Sequence, residues 1–203
     1  MTAVCCVASG PSFTEAQAEL IRTAHAAGKC ALLVVNRMWE RFPDADVLYA
    51  ADAKWWREYW PRVQHGFNGE CWTADANVAR EFGLCPIKVD GRGQGLSRDP
   101  AVIFSAINSG YQAIGLAYHF GATQMILVGY DMQHTGGRRH SHPDYPTPKF
   151  TNANGVASWA PAFTQLGRDL NAAGVRTVNC TISTALDPDA WPRADLADTL
   201  AAL

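Results

Sequence analysis

Apolar residues in this chain gather into short, continuous runs rather than alternating with polar ones. The clearest are Thr2 to Ala8, Cys30 to Val35, Asp46 to Ala51 and Met125 to Val128, and Val175 to Asn179 reads as a last strand. Runs of this length that do not alternate read as parallel strands covered on both faces. Between them lie stretches with helical spacing: Phe13 to Ala27, Ala53 to Trp60, Pro100 to Phe120 and Gly155 to Ala173. Ser12 and Glu15 have the spacing of a capping box at the start of the first helix. Pro61 is expected to end the second, and the third has a break near Asn108 to Gly110. Residues 66–98 are irregular, with short strands near Glu70 to Thr73 and Ile87 to Val89 and a glycine-rich loop from Gly91 to Gly95. The tail from Asp187 reads as a turn and a short helix. Strands alternating with helices predict a single Rossmann-like, three-layer α/β domain over residues 1–203, with a mostly parallel sheet.

Composition narrows the function classes. Of 203 residues, 48% are hydrophobic and 18% charged, enough for a sizeable core. The formal charge of −2, with no block of one sign, argues against avid non-specific nucleic-acid binding. No apolar run is long enough to span a membrane, and the first residues lack a secretory signal's basic region. A cytoplasmic protein without a membrane partner is expected. None of the six cysteines forms a C-x-x-C pair. Cys5, Cys6, Cys30 and Cys180 lie in or beside apolar runs, so reduced core thiols are expected.

Polar residues collect where the predicted strands end. Ser9-Gly10-Pro11-Ser12 joins the first strand to the first helix, where glycine lets a ligand approach the backbone and helix amides attract anions. A tight turn with an N-cap is the plainer reading of the same residues. Asn36 and Asp52 end the next two strands, and carboxyl-end residues of parallel strands face one crevice. Trp56, Tyr59 and Trp60 share one helical face beside Trp55, as core, as an oligomer contact or as a stacking surface for a ring. After the strand Met125 to Val128 comes Gly129-Tyr130-Asp131 and a loop carrying His134, Arg138, Arg139, His140, His142 and Asp144. Imidazole titrates near neutrality and suits a general base. The two arginines favour an anionic substrate. His140 and His142 can also ligate a metal, but no third ligand has convincing spacing, so no metal is assigned.

Four of these pieces occur in an order that resembles a known group. Gly10-Pro11-Ser12, Asn36-Arg37, Asn108-Ser109-Gly110 and Gly129-Tyr130-Asp131 look like the turns of the family 42 bacterial sialyltransferases and of the related MptE-like group, whose named activity is 6-hydroxymethylpterin diphosphokinase. Short members of this type are commonly bacteriophage-encoded, so the resemblance implies a phage origin and a bacterial host cytoplasm. It implies nucleotide binding by Ser9, Gly10, Pro11, Ser12, Asn36, Asn108, Ser109 and Gly110, with Asp52 beside them. It implies His142 as general base, with His140 second. Ser9 stands where the sialyltransferases carry Asn, Arg37 replaces their Gln, and their extended acceptor-binding lid is not evident.

The expectation is a nucleotide-dependent transferase, glycosyltransferase-like, taking a nucleotide or nucleotide-sugar donor. His142 or His140, with Asp131, would do the catalysis. Tyr130, Tyr145, Arg138 and Arg139 would hold the substrate. That scheme needs no cofactor. One alternative is a diphosphokinase using Mg²⁺ held by Asp52 and Asp131. Another is a non-catalytic nucleotide-binding module. The acceptor is unassigned, and a homo-oligomer is open.

Overall fold

The computed structural model describes residues 2–143 and 156–203, and the side chains of residues 156–158 are not among what it describes. The expectations for Asp144 and Tyr145 therefore lie outside the described residues.

All five of these predicted strands belong to one sheet. They are β1 (Ala3–Val7), β2 (Ala31–Val35), β3 (Val47–Ala50), β8 (Gln124–Val128) and β9 (Arg176–Asn179). β4 (Glu70–Thr73) and the short β5 (Cys85–Pro86) extend it to seven strands in the order β5-β4-β3-β2-β1-β8-β9. Every pairing is parallel, with Val4 opposite Ala31 on one side and Met125 on the other. Alternate side chains of each strand go to opposite faces. Cys5, Val7, Leu32, Val34, Leu48 and Ile126 enter one core with α1 (Glu15–Ala26), α2 (Ala53–Gly66), α3 (Ala76–Phe82) and α6 (Leu196–Ala201). Val4, Cys6, Leu33, Val35, Tyr49, Met125 and Leu127 enter the other, with α4 (Ser109–His119) and α5 (Val156–Ala172). The molecule is thus a Rossmann-like α/β domain with helices on both faces of a parallel sheet. All six cysteines are free, and Cys5, Cys6, Cys30 and Cys180 are buried as small hydrophobes. Among the described residues, no helix is long and apolar enough to cross a membrane.

The structure departs from the sequence expectations in four places. The first helix starts at Thr14, not Ser12: Thr14 accepts from the Gln17 amide, and the Gln17 side chain accepts from Thr14 N–H. Ser12 has another partner, described below. Residues 100–108 are not helical. Val102–Phe104, β-branched and aromatic, forms β7 and pairs with β6 (Lys88–Asp90) in a separate two-stranded parallel sheet. The helix begins only at Ser109, capped by Asn108, which accepts from Tyr111 N–H. Residues 76–82, read as irregular, form α3, capped by Asp75 on the amides of Asn77 and Val78. Finally, α2 runs through Pro61 to Gly66. Trp55, Trp56 and Tyr59 are buried on its inner face and Val63 continues that stripe one turn on, so tertiary packing overrides the proline. These aromatic rings are core; Trp55 and Tyr59 stack at 4.8 Å.

Pro61 is exposed and cannot donate to the Arg57 carbonyl one turn back. Replacing it restores that donor without removing buried contacts. Pro61→Ala is expected to stabilise the fold by about 1–3 kcal/mol, measured by urea unfolding at constant m-value; a loss of stability would show that the ring itself is needed.

Candidate functional site

Strand order runs outward from β1 in both directions, through β2 to β5 on one side and through β8 and β9 on the other. The helices that follow β1 and β8 lie on opposite faces of the sheet, and open α/β sheets take ligands at such a switch point. A cleft of about 930 Å³ lies there. Ser9, Gly10 and Pro11 line it from the β1–α1 turn, Asn36 from the end of β2 and Asp52 from the end of β3. Asn108, Ser109 and Gly110 close it from the start of α4, and Gly129 and Asp131 from the end of β8. A second depression, about 650 Å³, lies at the opposite edge of the sheet around Asp44, Asp46 and Glu70.

Asp131 holds the cleft's floor together. Its side chain is 1% exposed. One carboxylate oxygen accepts from Ser12 Oγ at 2.9 Å; the other accepts from Ser12 N–H at 2.9 Å and Thr135 Oγ1 at 3.1 Å. Burial raises its carboxyl above the usual range, opposed by the hydrogen bonds from Ser12 and Thr135 and by the nearby Arg138. The two loops approach so closely that only glycine fits. A Cβ on Gly10 would lie 2.0 Å from the Asp131 carboxylate and 2.4 Å from the Gly129 carbonyl, and Gly10 N–H donates to that carbonyl at 2.8 Å. Ser12 thus lies beneath the cleft rather than lining it, and its amide, the group expected to meet an anion, already meets one inside the protein.

The histidine loop folds back over the β1–α1 turn. Thr135 and Arg138 are bridged by a tight turn, and Arg138 donates to the Pro11 carbonyl at 2.9 Å. Ser141 N–H donates to the Ser9 carbonyl at 2.9 Å. These bonds bring His140 Nδ1 to 3.3 Å from Ser9 Oγ, with both residues lining the cleft. His142 lies one layer away, its ring stacked on that of His140 at 4.8 Å and 8°. Its Nδ1 is 2.7 Å from the Pro143 carbonyl, and Arg37 approaches both. Arg139 and His134 line the cleft; Arg138 serves the loop's own anchoring.

Other positions are settled by the same geometry. Tyr130 is fully buried and does not line the cleft; it donates to the Gly110 carbonyl at 3.3 Å, and burial pushes its hydroxyl far above the ordinary range. It therefore supports the start of α4. Asp52 caps no amide of α2. Its carboxyl is raised, mainly by partial withdrawal from water, with Lys54 pulling the other way. Sequence reasoning missed Lys54, Gln112, Ser105, Met132 and Trp159, all lining the cleft. Lys54 follows the end of β3 by four residues, and that position was its only signal; Gln112, inside α4, had none. Gln112 joins Tyr49 Oη at 2.5 Å to the Ser105 carbonyl at 3.0 Å, tying β3 and α4 to the β7–α4 loop. Among the described residues, no group of three or more His, Cys, Asp or Glu side chains is placed to hold a metal.

No family model, curated protein or solved structure matches the chain, so its chemistry is argued from this cleft.

Because burial raises the native Asp131 carboxyl, the native state binds its proton more tightly than the unfolded chain does. Its contribution is fully present below the unfolded value and is lost as pH rises through the native one. The stability of the wild type relative to Asp131→Asn is therefore expected to fall as pH rises across the window just above the usual carboxylate range, then level off; a rising difference would reverse the assignment. Gly10→Ala is expected to destabilise by about 1–3 kcal/mol through overpacking against backbone, read by denaturant unfolding.

Proposed function

We propose that the protein is a nucleotide-dependent group transferase whose donor occupies the cleft at the β1/β8 switch point. The observation that carries this reading is the company His140 keeps. An imidazole positioned by Ser9 shares one cleft with Arg139, Lys54 and the first residues of an eleven-residue helix, α4. The first amides of a helix have no partner within it and favour an anion. Arg139 makes no ion pair with a described residue. A donor phosphate fits beside these groups, with the acceptor hydroxyl toward His140.

The reaction is glycosyl transfer. The acceptor oxygen attacks the anomeric carbon while its proton passes to His140. The bond from the anomeric carbon to the phosphate oxygen breaks with its electron pair on the nucleotide, and Arg139, Lys54 and the α4 amides offset the charge. His142, behind the His140 ring and beside Arg37, positions it. This exchanges the roles that the sequence resemblance gives the two histidines, because His140 is the one that lines the cleft. The diphosphokinase alternative needs Asp52 and Asp131 together for Mg²⁺. Asp131 already accepts three hydrogen bonds from protein groups, which favours the glycosyl reading.

A thermal-shift screen of nucleotides and nucleotide sugars, with and without Mg²⁺, tests the reading. A true donor at 100 times its dissociation constant stabilises the fold by about 2.7 kcal/mol. With that donor, His140→Ala is expected to lower turnover by about 10²-fold or more, with donor affinity by calorimetry nearly unchanged. His142→Ala is expected to lose less. The reverse ranking restores His142 as the base; strict Mg²⁺ dependence of turnover favours the diphosphokinase; binding without turnover favours a non-catalytic module.

A further inference from the structure

Four non-glycine residues in the described chain have positive φ: Asn36 (52°), Ala106 (39°), Ile107 (52°) and Met132 (49°). Asn36, Ile107 and Met132 line the cleft, and Ala106 adjoins it. Asparagine tolerates this region; a β-branched residue there is a true outlier. Ile107 is also 77% exposed, more than any other large hydrophobic described. It carries two unfavourable features at once, a strained backbone and an apolar side chain left in water.

The surrounding loop is built to keep it so. Ser105 N–H donates to the Asp90 carbonyl at 3.1 Å, which anchors the loop to β6. Ser105 Oγ accepts Ile107 N–H at 3.1 Å, and the Ser105 carbonyl accepts Asn108 N–H at 3.1 Å and Gln112 Nε2 at 3.0 Å. Strain persists where its surroundings over-determine it, and such sites cluster where ligands bind. Met132 repeats the arrangement on the loop leaving β8: an apolar side chain on a left-handed residue, lining the same cleft. Val89 and Trp159 add apolar surface to that lining. Polar anion-binding groups thus share the cleft with an apolar surface held out from two loops.

We propose that Ile107 is the contact on which the ring of the bound ligand, base or sugar, packs, and that it sets the protein's preference for a ring-bearing phosphate over a bare one. The proposal rests on the nucleotide reading above. Covering Ile107 removes its apolar side chain from water, a gain that a ligand without a ring cannot provide.

The test uses four probes: AMP, CMP, glucose 1-phosphate and inorganic pyrophosphate. Each is titrated calorimetrically into the wild type, Ile107→Gly, Ile107→Asn and Ile107→Val. Glycine and asparagine accept positive φ, whereas valine keeps the branch and the apolar surface. The glycine and asparagine variants are expected to unfold about 2–4 °C higher than the wild type while binding ring-bearing probes about 5–20-fold more weakly. Pyrophosphate affinity should be unchanged in both, and the valine variant should bind ring-bearing probes nearly as the wild type does. Nucleotides against glucose 1-phosphate tell base from sugar. Ring-bearing probes unaffected by Ile107→Gly, an equal loss of pyrophosphate affinity, or a lower unfolding temperature for both strain-relieving variants would overturn the proposal. If only pyrophosphate binds the wild type, the anion site stands and the Ile107 contact falls. If no probe binds, the nucleotide reading itself fails and the contact with it.

Discussion

The buried carboxylate of Asp131 is the constraint on which the site depends. It is the junction of three segments that come from distant parts of the chain: the β1–α1 turn through Ser12, the end of β8, and the histidine loop through Thr135. Hydrogen bonds to an ionised group contribute about 1.5–3 kcal/mol each, and an unmet buried charge costs more. The three donors must therefore stay where they are. Gly10 and Gly129 allow the backbone approach that this requires; a Cβ on Gly129 would lie 2.1 Å from the Ala8 carbonyl. With the turn fixed, the Ser9 carbonyl holds Ser141, and His140 is delivered to the cleft.

Much of this architecture was legible in the sequence because one physical rule covers it. Strands buried on both faces are largely apolar, and the runs Ala3 to Ala8, Cys30 to Val35, Val47 to Ala51 and Met125 to Val128 all supply strands of the main sheet. The positions of Gly10, Asn36, Asp52, Ser109 and Asp131 around one cleft follow from parallel topology, which puts every strand's carboxyl end on the same edge. The misreadings are equally physical. Pro61 interrupts a helix locally, but the local penalty loses to the burial of four side chains along α2. Ser12 has the spacing of a cap, yet a carboxylate 119 residues away takes its hydroxyl and its amide, and no local pattern records that competitor. His140 and His142 differ by two positions in sequence, so only the fold separates the ring that lines the cleft from the ring behind it.

In the proposed reading, Asp131 also bears on where the donor phosphate lies. In a strand–turn–helix unit the amides opening the first helix commonly meet a ligand phosphate. Here Ser12 N–H points at Asp131, Gly10 N–H at Gly129, Phe13 N–H at Gly10 and Thr14 N–H at Gln17. The turn has spent these donors on its own structure. Across the cleft, α4 begins with its cap engaged on Tyr111 alone, next to Gln112 and within the same cleft as Arg139 and Lys54. In the proposed reading the donor phosphate therefore lies toward α4, and the β1–α1 turn serves to place His140. In that reading the α4 amides and His140 face each other across the cleft, while Arg139, next to His140 on the histidine loop, reaches the phosphate from the other side. Had the phosphate lain at the β1–α1 turn, it would compete with the Asp131 carboxylate for the same amide and set two like charges side by side in a buried place. The internal carboxylate thus fastens the loops and, in the proposed reading, leaves the other wall of the cleft to the ligand's charge.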